Sequence, residues 1–304
     1  MEASAREGIH LLPIILIIVS LIVIFSIIFK MISEHLTFVI THYTVSSPKF
    51  ENMKDEIRIA FLCDLHNRSY GERNQYLMDA IREENPDLIL VGGDMVLAKY
   101  KKDYQHALEL MEQLPQIAPV YACNGNHEQR MKDKPDVYGE FEPYKEQLSK
   151  LGVVFLENEV EYVFINGINI KISGLELPIS YYLNRKNRRN ITRRTIKSYV
   201  GMAEEKGYQL LLTHYPQPYK MYKSWGADLV LAGHLHGGMV RIPKWRGLLS
   251  PQWEWFPKYS GELTKDGNNT IIVSRGLGNH TVPVRLFNKA EIVMITLTKS
   301  QADT

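Results

Sequence analysis

Five short apolar runs are spread along the chain, and each one leads into polar side chains of the same few types. The runs cover residues 57–63, 88–91, 120–123, 210–213 and 229–232. Apolar runs of about four to eight residues between turn residues are typical of strands that are buried on both faces. In α/β domains such strands are parallel, and the side chains that follow them converge on one crevice. We therefore expect an α/β fold with its site at the strand ends.

The side chains that follow these runs could bind metal ions. They occur as Asp64-Leu65-His66, Gly93-Asp94, Gly125-Asn126-His127-Glu128, His214 and Gly233-His234-Leu235-His236. A single histidine is more often a packed or exposed residue than a metal ligand. Here, however, five of the chain's ten histidines fall within these blocks, and this concentration at strand ends indicates a metal centre.

The order of the blocks resembles that of the calcineurin-like metallophosphoesterase superfamily, whose pattern is D-x-H, GD, GNH[DE], H and GHxH. All five blocks are present without a substitution at a ligand position, and the resemblance runs from about Ile57 to Leu297. Two later stretches, Gly237-Gly238 and 274–278, resemble the membrane-associated phosphodiesterase branch. That branch includes enzymes acting on lipid precursors of the UDP-diacylglucosamine type.

The resemblance implies a centre of two divalent metal ions and a role for each ligand. It places Asp64, His66 and His236 on the first metal and Asn126, His214 and His234 on the second, with Asp94 bridging the two. Carboxylate, imidazole and amide donors without thiolate suit manganese, with iron or zinc as alternatives. Two such ions would activate a water for attack on phosphorus.

The resemblance gives His127 a catalytic role without binding metal. It implies that His127 lies near the phosphate, where it stabilises charge or protonates the leaving oxygen. The alternative is a histidine that only orients its loop. Asn67 and Arg68 follow the first block directly and are candidates for substrate binding, although an exposed arginine on a loop would look the same.

We expect a four-layer sandwich of two mixed β-sheets flanked by helices, the fold that the resemblance also implies. The stretch from Tyr162 to Ser173 predicts a hairpin, since its turn residues Asn166 and Gly167 both tolerate positive φ. A further strand pair, Thr270 to Ser274 and Glu291 to Leu297, is expected to close the domain.

One transmembrane helix is predicted ahead of this domain. Leu11 to Phe29 is apolar apart from three residues, Pro13, Ser20 and Ser26, and as a helix its nineteen residues would span about 28 Å. A cleaved signal peptide is the alternative, but no A-x-A-like site follows Phe29. The protein is therefore expected in the cell membrane as a single-pass protein. Few charges flank the helix, so the side of the catalytic domain stays open.

These features divide the chain into an N-terminal tail (1–10), a transmembrane helix (11–29), a connector (30–55), a metallophosphoesterase catalytic domain (56–298) and a C-terminal tail (299–304). The chain contains two cysteines, Cys63 and Cys123. Free cysteine is among the most buried residue types, so we expect both inside strands without a disulfide.

Two segments could contact lipid. Seven positive charges lie within thirteen residues, at Arg185, Lys186, Arg188, Arg189, Arg193, Arg194 and Lys197. They form either a solvated face or a contact for anionic headgroups. Five aromatic residues (Trp245, Trp253, Trp255, Phe256 and Tyr259) follow the last metal block. They form either core packing or a surface at the membrane interface.

The leading hypothesis is a membrane-anchored phosphoesterase that hydrolyses a phosphodiester or pyrophosphate bond of a lipid-linked substrate. One alternative is a nucleotide or nucleic-acid phosphodiesterase with the same metal centre. A net charge of only +2 disfavours nucleic acid as a partner. The other alternative is a non-catalytic membrane scaffold of the same fold. The sequence leaves the oligomeric state open.

Overall fold

The computed structural model describes residues 2–99, 103–183, 189–243, 245–250, 253–279 and 284–300, with side chains from residue 11 onward. Its strands, in chain order, are β1 (Phe38–Ser47), β2 (Ile57–Leu62), β3 (Leu88–Val91), β4 (Val120–Ala122), β5 (Val153–Phe155), β6 (Val160–Ile165), β7 (Ile168–Leu175), β8 (Tyr208–Thr213), β9 (Leu229–Ala232), β10 (Val240–Arg241), β11 (Gly247–Leu249), β12 (Leu263–Asp266), β13 (Asn269–Val273) and β14 (Ala290–Lys299). Its α-helices are α1 (Glu2–Leu36), α2 (Gln75–Glu84), α3 (Gln105–Met111), α4 (Asn126–Asp133), α5 (Pro135–Tyr138), α6 (Glu142–Lys150), α7 (Arg193–Val200) and α8 (Tyr219–Trp225).

Twelve of the described strands form two six-stranded mixed sheets. The order in the first sheet is β1-β14-β2-β3-β4-β5, and the order in the second is β12-β13-β9-β8-β7-β6. The strands that precede the metal blocks are parallel within each sheet, with β2, β3 and β4 in the first and β8 and β9 in the second. In each sheet the polar side chains that follow these strands therefore lie together at the carboxyl ends of the strands.

The packing of β2 shows why its run is apolar throughout. Ile57, Ile59 and Phe61 point into a cluster shared with strands of the second sheet. Ala60 and Leu62 point the other way, into a cluster shared with α2 and α3. A third cluster joins the outer face of the second sheet to α7 and α8. Alternate residues of a strand thus bury opposite faces, and the predicted four-layer sandwich is confirmed.

The predicted hairpin is β6 and β7, which pair antiparallel up to Ile165 and Ile168. The turn residues Asn166 and Gly167 have φ values of 48° and 85°.

The predicted pairing of the last two strands was wrong. β13 lies in the second sheet between β12 and β9, whereas β14 lies in the first sheet between β1 and β2. Both runs are apolar strands, and their local pattern does not specify a partner sheet.

Residues 30–55, predicted as a connector, contain regular structure that the sequence pattern does not indicate. α1 continues to Leu36, and β1 pairs in parallel with β14 at ten positions, from Phe38 with Ala290 to Ser47 with Lys299. β1 is an edge strand, and most of its residues are only half-buried or exposed. The strand contains threonines, serines and a histidine, so it lacks the continuous apolar run that predicts the other strands.

The long N-terminal helix carries its apolar side chains on the outside. Within the described residues, one helix is long and apolar enough to cross a membrane, at Leu11–Leu36. Apart from the half-buried Met31, its large apolar side chains are 42 to 70% exposed. Exposed apolar area on this scale is unusual for a protein in water and typical of a surface that contacts lipid.

Candidate metal centre

The predicted metal ligands come together at the strand ends of the two sheets. Asp64 follows β2, Asp94 follows β3, Asn126 begins α4 after β4, His214 follows β8, and His234 follows β9. The seven predicted ligands are all buried, with exposed fractions between 0 and 6%: Asp64, His66, Asp94, Asn126, His214, His234 and His236. A single pocket between the sheets thus collects them.

Among the described residues, donor atoms in the pocket form four groups of three, and in each group one donor atom per residue lies within 4.8 Å of the others. Asp64, His66 and His236 form the first group, and Asp94, His214 and His234 form the second; these two match the ligand sets that the resemblance implies. The remaining groups share residues with them and are Cys63 with Asp64 and His214, and His66 with Asp94 and His127. In the first group, His66 Nε2 lies 3.0 Å from His236 Nε2, and His236 Nε2 lies 3.3 Å from Asp64 Oδ1.

Asp94 lies between the two groups. Its Oδ2 atom is 3.1 Å from His214 Nε2 in the second group and 3.9 Å from His66 Nε2 in the first. Its other oxygen, Oδ1, accepts the His127 backbone N–H at 2.8 Å. Asp64 Oδ1 likewise lies 3.3 Å from His236 Nε2 in the first group and 3.7 Å from His214 Nε2 in the second, so both carboxylates face both groups.

The Nδ1 atoms of His214 and His127 have opposite hydrogen-bonding roles. His214 Nδ1 lies 2.8 Å from the carbonyl oxygen of Gly92, so it is the donor and leaves the lone pair on Nε2. His127 Nδ1 instead accepts the Ala98 backbone N–H at 2.9 Å, so a neutral ring carries its proton on Nε2. A neutral His214 ring therefore offers a lone pair to a cation, whereas a neutral His127 ring offers an N–H donor.

The burial of two carboxylates makes this pocket favourable for positive charge. Burial by itself raises the pKa of Asp64 and Asp94, but the nearby histidines outweigh it and hold both pKa values below their usual range. Burial alone would lower the pKa of His214, yet Asp94 and Asp64 raise it to about 10. Divalent cations would supply the same compensation more strongly.

Backbone strain is concentrated at the ligands. Asp64, His66, Asp94, His234 and His236 all have φ values between 50° and 73°, a region that residues other than glycine seldom adopt. Strained backbone of this kind persists where the surrounding structure requires it, often at functional sites.

Two glycines that directly precede ligands leave room for this backbone geometry. A Cβ atom on Gly93 would overlap the Gly125 backbone nitrogen, and one on Gly233 would overlap the Cys63 sulfur and the Asp64 carboxylate. The glycines of the sequence blocks thus allow the strand ends to approach each other closely.

Glu128 supports the site, although the sequence analysis assigned it no role. Its buried carboxylate accepts four backbone N–H groups, from Gly125 and from three consecutive residues beginning at Asp94. Burial and the Asp94 charge raise its pKa to about 7, while the backbone donors favour its charged form. Glu128 thereby ties the loop that carries Asp94 to the start of α4.

The two substrate-binding candidates have partners inside the protein. The side-chain nitrogen of Asn67 donates to Asp103, and its side-chain oxygen accepts the Ala107 backbone N–H. The amide therefore holds the loop after β2 against the start of α3. Arg68 donates to the carbonyl oxygen of His35, and its guanidinium lies 4.7 Å from the Tyr70 ring centre. Its Nη1 atom is buried without a hydrogen-bond partner.

The prediction that both cysteines lie inside strands was wrong by one residue, since Cys63 directly follows β2 and Cys123 directly follows β4. Cys63 and Cys123 are buried and free, and burial raises the pKa of both thiols.

Tyr182 and Tyr215 form an aromatic wall beside the second donor group, and the sequence analysis missed both. Their ring centres lie 5.2 and 5.6 Å from that of His234. Tyr215 directly follows a ligand in sequence and could have been suspected. Tyr182 belongs to the loop after β7 and has no local signal.

Comparison with known proteins places this arrangement in a family. The calcineurin-like phosphoesterase family model matches residues 57–238. The chain is 26% identical over 258 residues to phosphodiesterase YaeI of Escherichia coli, covering 82% of this chain and 84% of that one. It is also 26% identical over 242 residues to the uncharacterised metallophosphoesterase YkoQ of Bacillus subtilis, covering 79% and 83%.

Among solved structures, a phosphopantetheinyl hydrolase from Mycobacterium tuberculosis is similar with a TM-score of 0.46 and 16% identity, covering 72% of this chain and 89% of that one. The family match spans all five ligand-bearing strands in full together with every predicted ligand. This chain therefore belongs to the calcineurin-like phosphoesterase family and is a metal-dependent phosphoric ester hydrolase.

Proposed function

We propose that this protein is anchored in a membrane and uses two divalent cations to hydrolyse a phosphodiester or pyrophosphate bond of a lipid-linked substrate. The observation that carries the two-metal part is the position of Asp94, whose Oδ2 faces His214 on one side and His66 on the other. Asp64, His66 and His236 would hold the first cation. Asn126, His214 and His234 would hold the second, and Asp94 would bridge them.

The donor atoms fit such ions. Asn126 Oδ1 is buried without a hydrogen-bond partner in the protein, which is costly for an amide oxygen unless a cation or another donor occupies its lone pairs. His214 presents its lone pair because Nδ1 is held by Gly92. When bound, two divalent cations would activate water and neutralise charge on the phosphate. Oxygen and nitrogen donors suit manganese, iron or zinc.

His127 is suited to donate a hydrogen bond to the substrate. Its Nε2–H lies on the same side as the bridging carboxylate, 3.9 Å from Asp94 Oδ2. The Ala98 N–H keeps the ring in this tautomer, and burial lowers its pKa, so the ring is neutral near pH 7. His127 would thus hold a proton at Nε2 for a phosphate oxygen or for the leaving oxygen.

An exposed aromatic surface supports a lipid-linked substrate. This surface consists of Trp245, Trp253, Trp255 and Phe256, which are 44 to 69% exposed. Core packing, the alternative considered from the sequence, therefore does not account for these four residues. Tyr259 differs, since it is half-buried and packs edge-on against Tyr219 with ring centres 5.2 Å apart.

The aromatic surface and the apolar helix share a neighbour. The hairpin of β10 and β11, which leads into the aromatic surface, is hydrogen-bonded to Leu286 through Met239 and Arg241. The end of α1 contacts the next two residues, with Lys30 over the Phe287 ring and Glu34 accepting the Asn288 N–H. A bilayer around α1 would therefore lie close to the tryptophans, which favour the membrane interface.

The basic segment supports the same function less directly. Arg185, Lys186 and Arg188 lie outside the described residues. Arg189, Arg193, Arg194 and Lys197 are exposed at the start of α7 and along it. Their contact with anionic headgroups stays a prediction. YaeI, the relative from E. coli, carries the name phosphodiesterase, which favours a diester or pyrophosphate over a monoester.

Two alternatives are less well supported. A non-catalytic scaffold would not need seven buried ligands, two of which are carboxylates in one pocket. A nucleotide phosphodiesterase would use the same centre but would not explain the exposed apolar helix and tryptophans. Hydrolysis of a lipid pyrophosphate compared with that of a cyclic nucleotide, by the same purified protein with Mn²⁺, separates the two substrate classes.

Asp94→Asn is expected to weaken both metal sites, because an amide cannot supply the negative charge that two adjacent cations require. We expect the bound metal to fall below two ions per chain and turnover to fall by at least about 10²-fold, the scale seen when the support of a metal ligand is lost. The exposed Asp79→Asn is the matched control and should behave like the unmodified protein. Two tightly bound ions with near-normal turnover in Asp94→Asn would refute the bridging role.

His127→Ala should leave metal content unchanged while lowering turnover by roughly 10² to 10⁴, because only a proton donor is removed. Metal analysis and steady-state kinetics on the same preparation measure the two effects. His106→Ala, a change at an exposed histidine, serves as the control. Loss of metal from His127→Ala would instead make His127 a ligand.

The full chain is expected to sediment with membranes after washing at high salt, since an apolar helix of this length is not held by charge. Detergent should release it. Release by salt alone would contradict the anchor.

The double change Trp253→Ala with Trp255→Ala should raise KM for a lipid pyrophosphate in mixed micelles by roughly tenfold or more, because buried apolar area at the interface is lost. Hydrolysis of a small soluble phosphodiester should stay the same. Phe164→Ala, an exposed aromatic residue on the far edge strand β6, is the control. Equal losses on both substrates would mean that the tryptophans support the fold and not lipid recognition.

A further inference from the structure

The last turn of α1 is built into the catalytic domain and is more than a tether. As a helix, Leu11–Leu36 would be about 39 Å long, which exceeds the roughly 30 Å of a hydrocarbon core. Glu34, near the end of this span, is only 2% exposed. Burial of a carboxylate is costly unless it is paired and hydrogen-bonded, so specific contacts must hold this turn in place.

One set of contacts leads from Glu34 to a predicted metal ligand. Glu34 pairs with Lys30 at 2.8 Å and accepts the Asn288 backbone N–H at 2.8 Å. The side-chain amide of Asn288 donates to the carbonyl oxygens of His236 and Gly238, both at 2.7 Å. Asn288 is fully buried. It therefore connects the end of the helix directly to the loop that carries His236.

A second set of contacts leads from His35 to another ligand of the same metal. His35 Nδ1 lies within hydrogen-bond distance of the Asn279 side-chain amide. The neighbouring Gly278 N–H donates to the Asp64 carbonyl oxygen at 2.5 Å. On the other side of the loop, Arg68 donates to the His35 carbonyl oxygen. The end of α1 thus also reaches the loop that carries Asp64 and His66.

Arg285 joins the two sets of contacts. Its buried guanidinium donates to the side chain of Asn279 and to the carbonyl oxygens of Gly278 and Asn288. Because these groups are buried and mutually hydrogen-bonded, a shift of one is transmitted to the others.

We propose that Glu34 and Asn288 are positioning residues through which the last turn of the apolar helix holds the ligands of the first metal in place. The inference rests on the proposed two-metal centre. Groups that hold metal ligands in this way set the orientation of the ligands, and their loss typically lowers metal affinity by about 10- to 100-fold. The affinity of the first metal would then depend on the docking of α1, whereas the second metal would retain its affinity.

The test is a Mn²⁺ titration of the full chain in detergent micelles after removal of metal by chelation. The unmodified protein should bind two ions. Asn288→Leu removes the amide that holds the His236 loop, and Glu34→Ala removes the acceptor on the helix. In each variant one of the two ions should bind about 10- to 100-fold more weakly, while the other keeps its affinity.

Two further variants separate this role from a general effect on stability. Glu34→Gln keeps an oxygen that can accept the Asn288 N–H, so it should bind metal nearly as the unmodified protein does. Asn269→Leu is the matched control, because Asn269 also donates to a backbone carbonyl, that of Ala227, at 2.7 Å on β13. It should lower the unfolding temperature without changing the affinity for either ion.

Each outcome bears on a different conclusion. Fewer than two ions on the unmodified protein would overturn the proposed two-metal function before any variant is compared. Two ions of unchanged affinity in both Asn288→Leu and Glu34→Ala would overturn the positioning role. Weakening in Asn288→Leu alone would overturn the coupling to the helix. Equal weakening of both ions, parallel to a fall in unfolding temperature, would also contradict the inference.

Discussion

Two carboxylates buried in one pocket are the constraint on which the rest of this structure depends. Asp64 and Asp94 are 0 and 2% exposed, and like charges so placed repel each other unless positive charge lies nearby. Backbone N–H groups of His127 and His234 donate to them, and imidazole rings surround them. These protein groups stabilise the charged carboxylates, and bound divalent cations would compensate the charge more strongly. The two sheets pack with their ligand-bearing strand ends together, which brings the carboxylates of one sheet into contact with the histidines of the other.

The same pocket lies close to the surface that would meet a membrane. Residues 284–288 contact the end of the apolar helix, the hairpin that leads into the exposed tryptophans, and the loop that carries His236. A substrate whose lipid part stays in the bilayer would need its phosphate to reach the metals without leaving the membrane surface. The proximity of these three elements makes such access physically reasonable, and the anchor would also reduce the search for substrate to two dimensions.

The strands that carry the ligands could be predicted because their signal is local. The run from Ile57 to Leu62 is apolar throughout since both of its faces are buried. The edge strand β1 has no such run, because it is only half-buried, so its sequence does not predict a strand. β13 and β14 were recognised as strands but assigned to each other. The choice between two sheets depends on packing of the whole domain, which a pattern of five to ten residues does not contain.

The sequence by itself determined the chemistry available to this protein: the seven predicted metal ligands, their order at strand ends, and an apolar segment long enough to cross a membrane. These features depend on residue identity and on neighbours in the chain. Only the tertiary structure decided how the ligands are held. Glu128 accepts four backbone N–H groups, Nδ1 of His127 accepts a hydrogen bond whereas Nδ1 of His214 donates one, and Glu34 meets Asn288 across 254 residues of sequence. Contacts between residues so far apart leave no periodic signal, because each depends on where the folded chain brings two distant segments together.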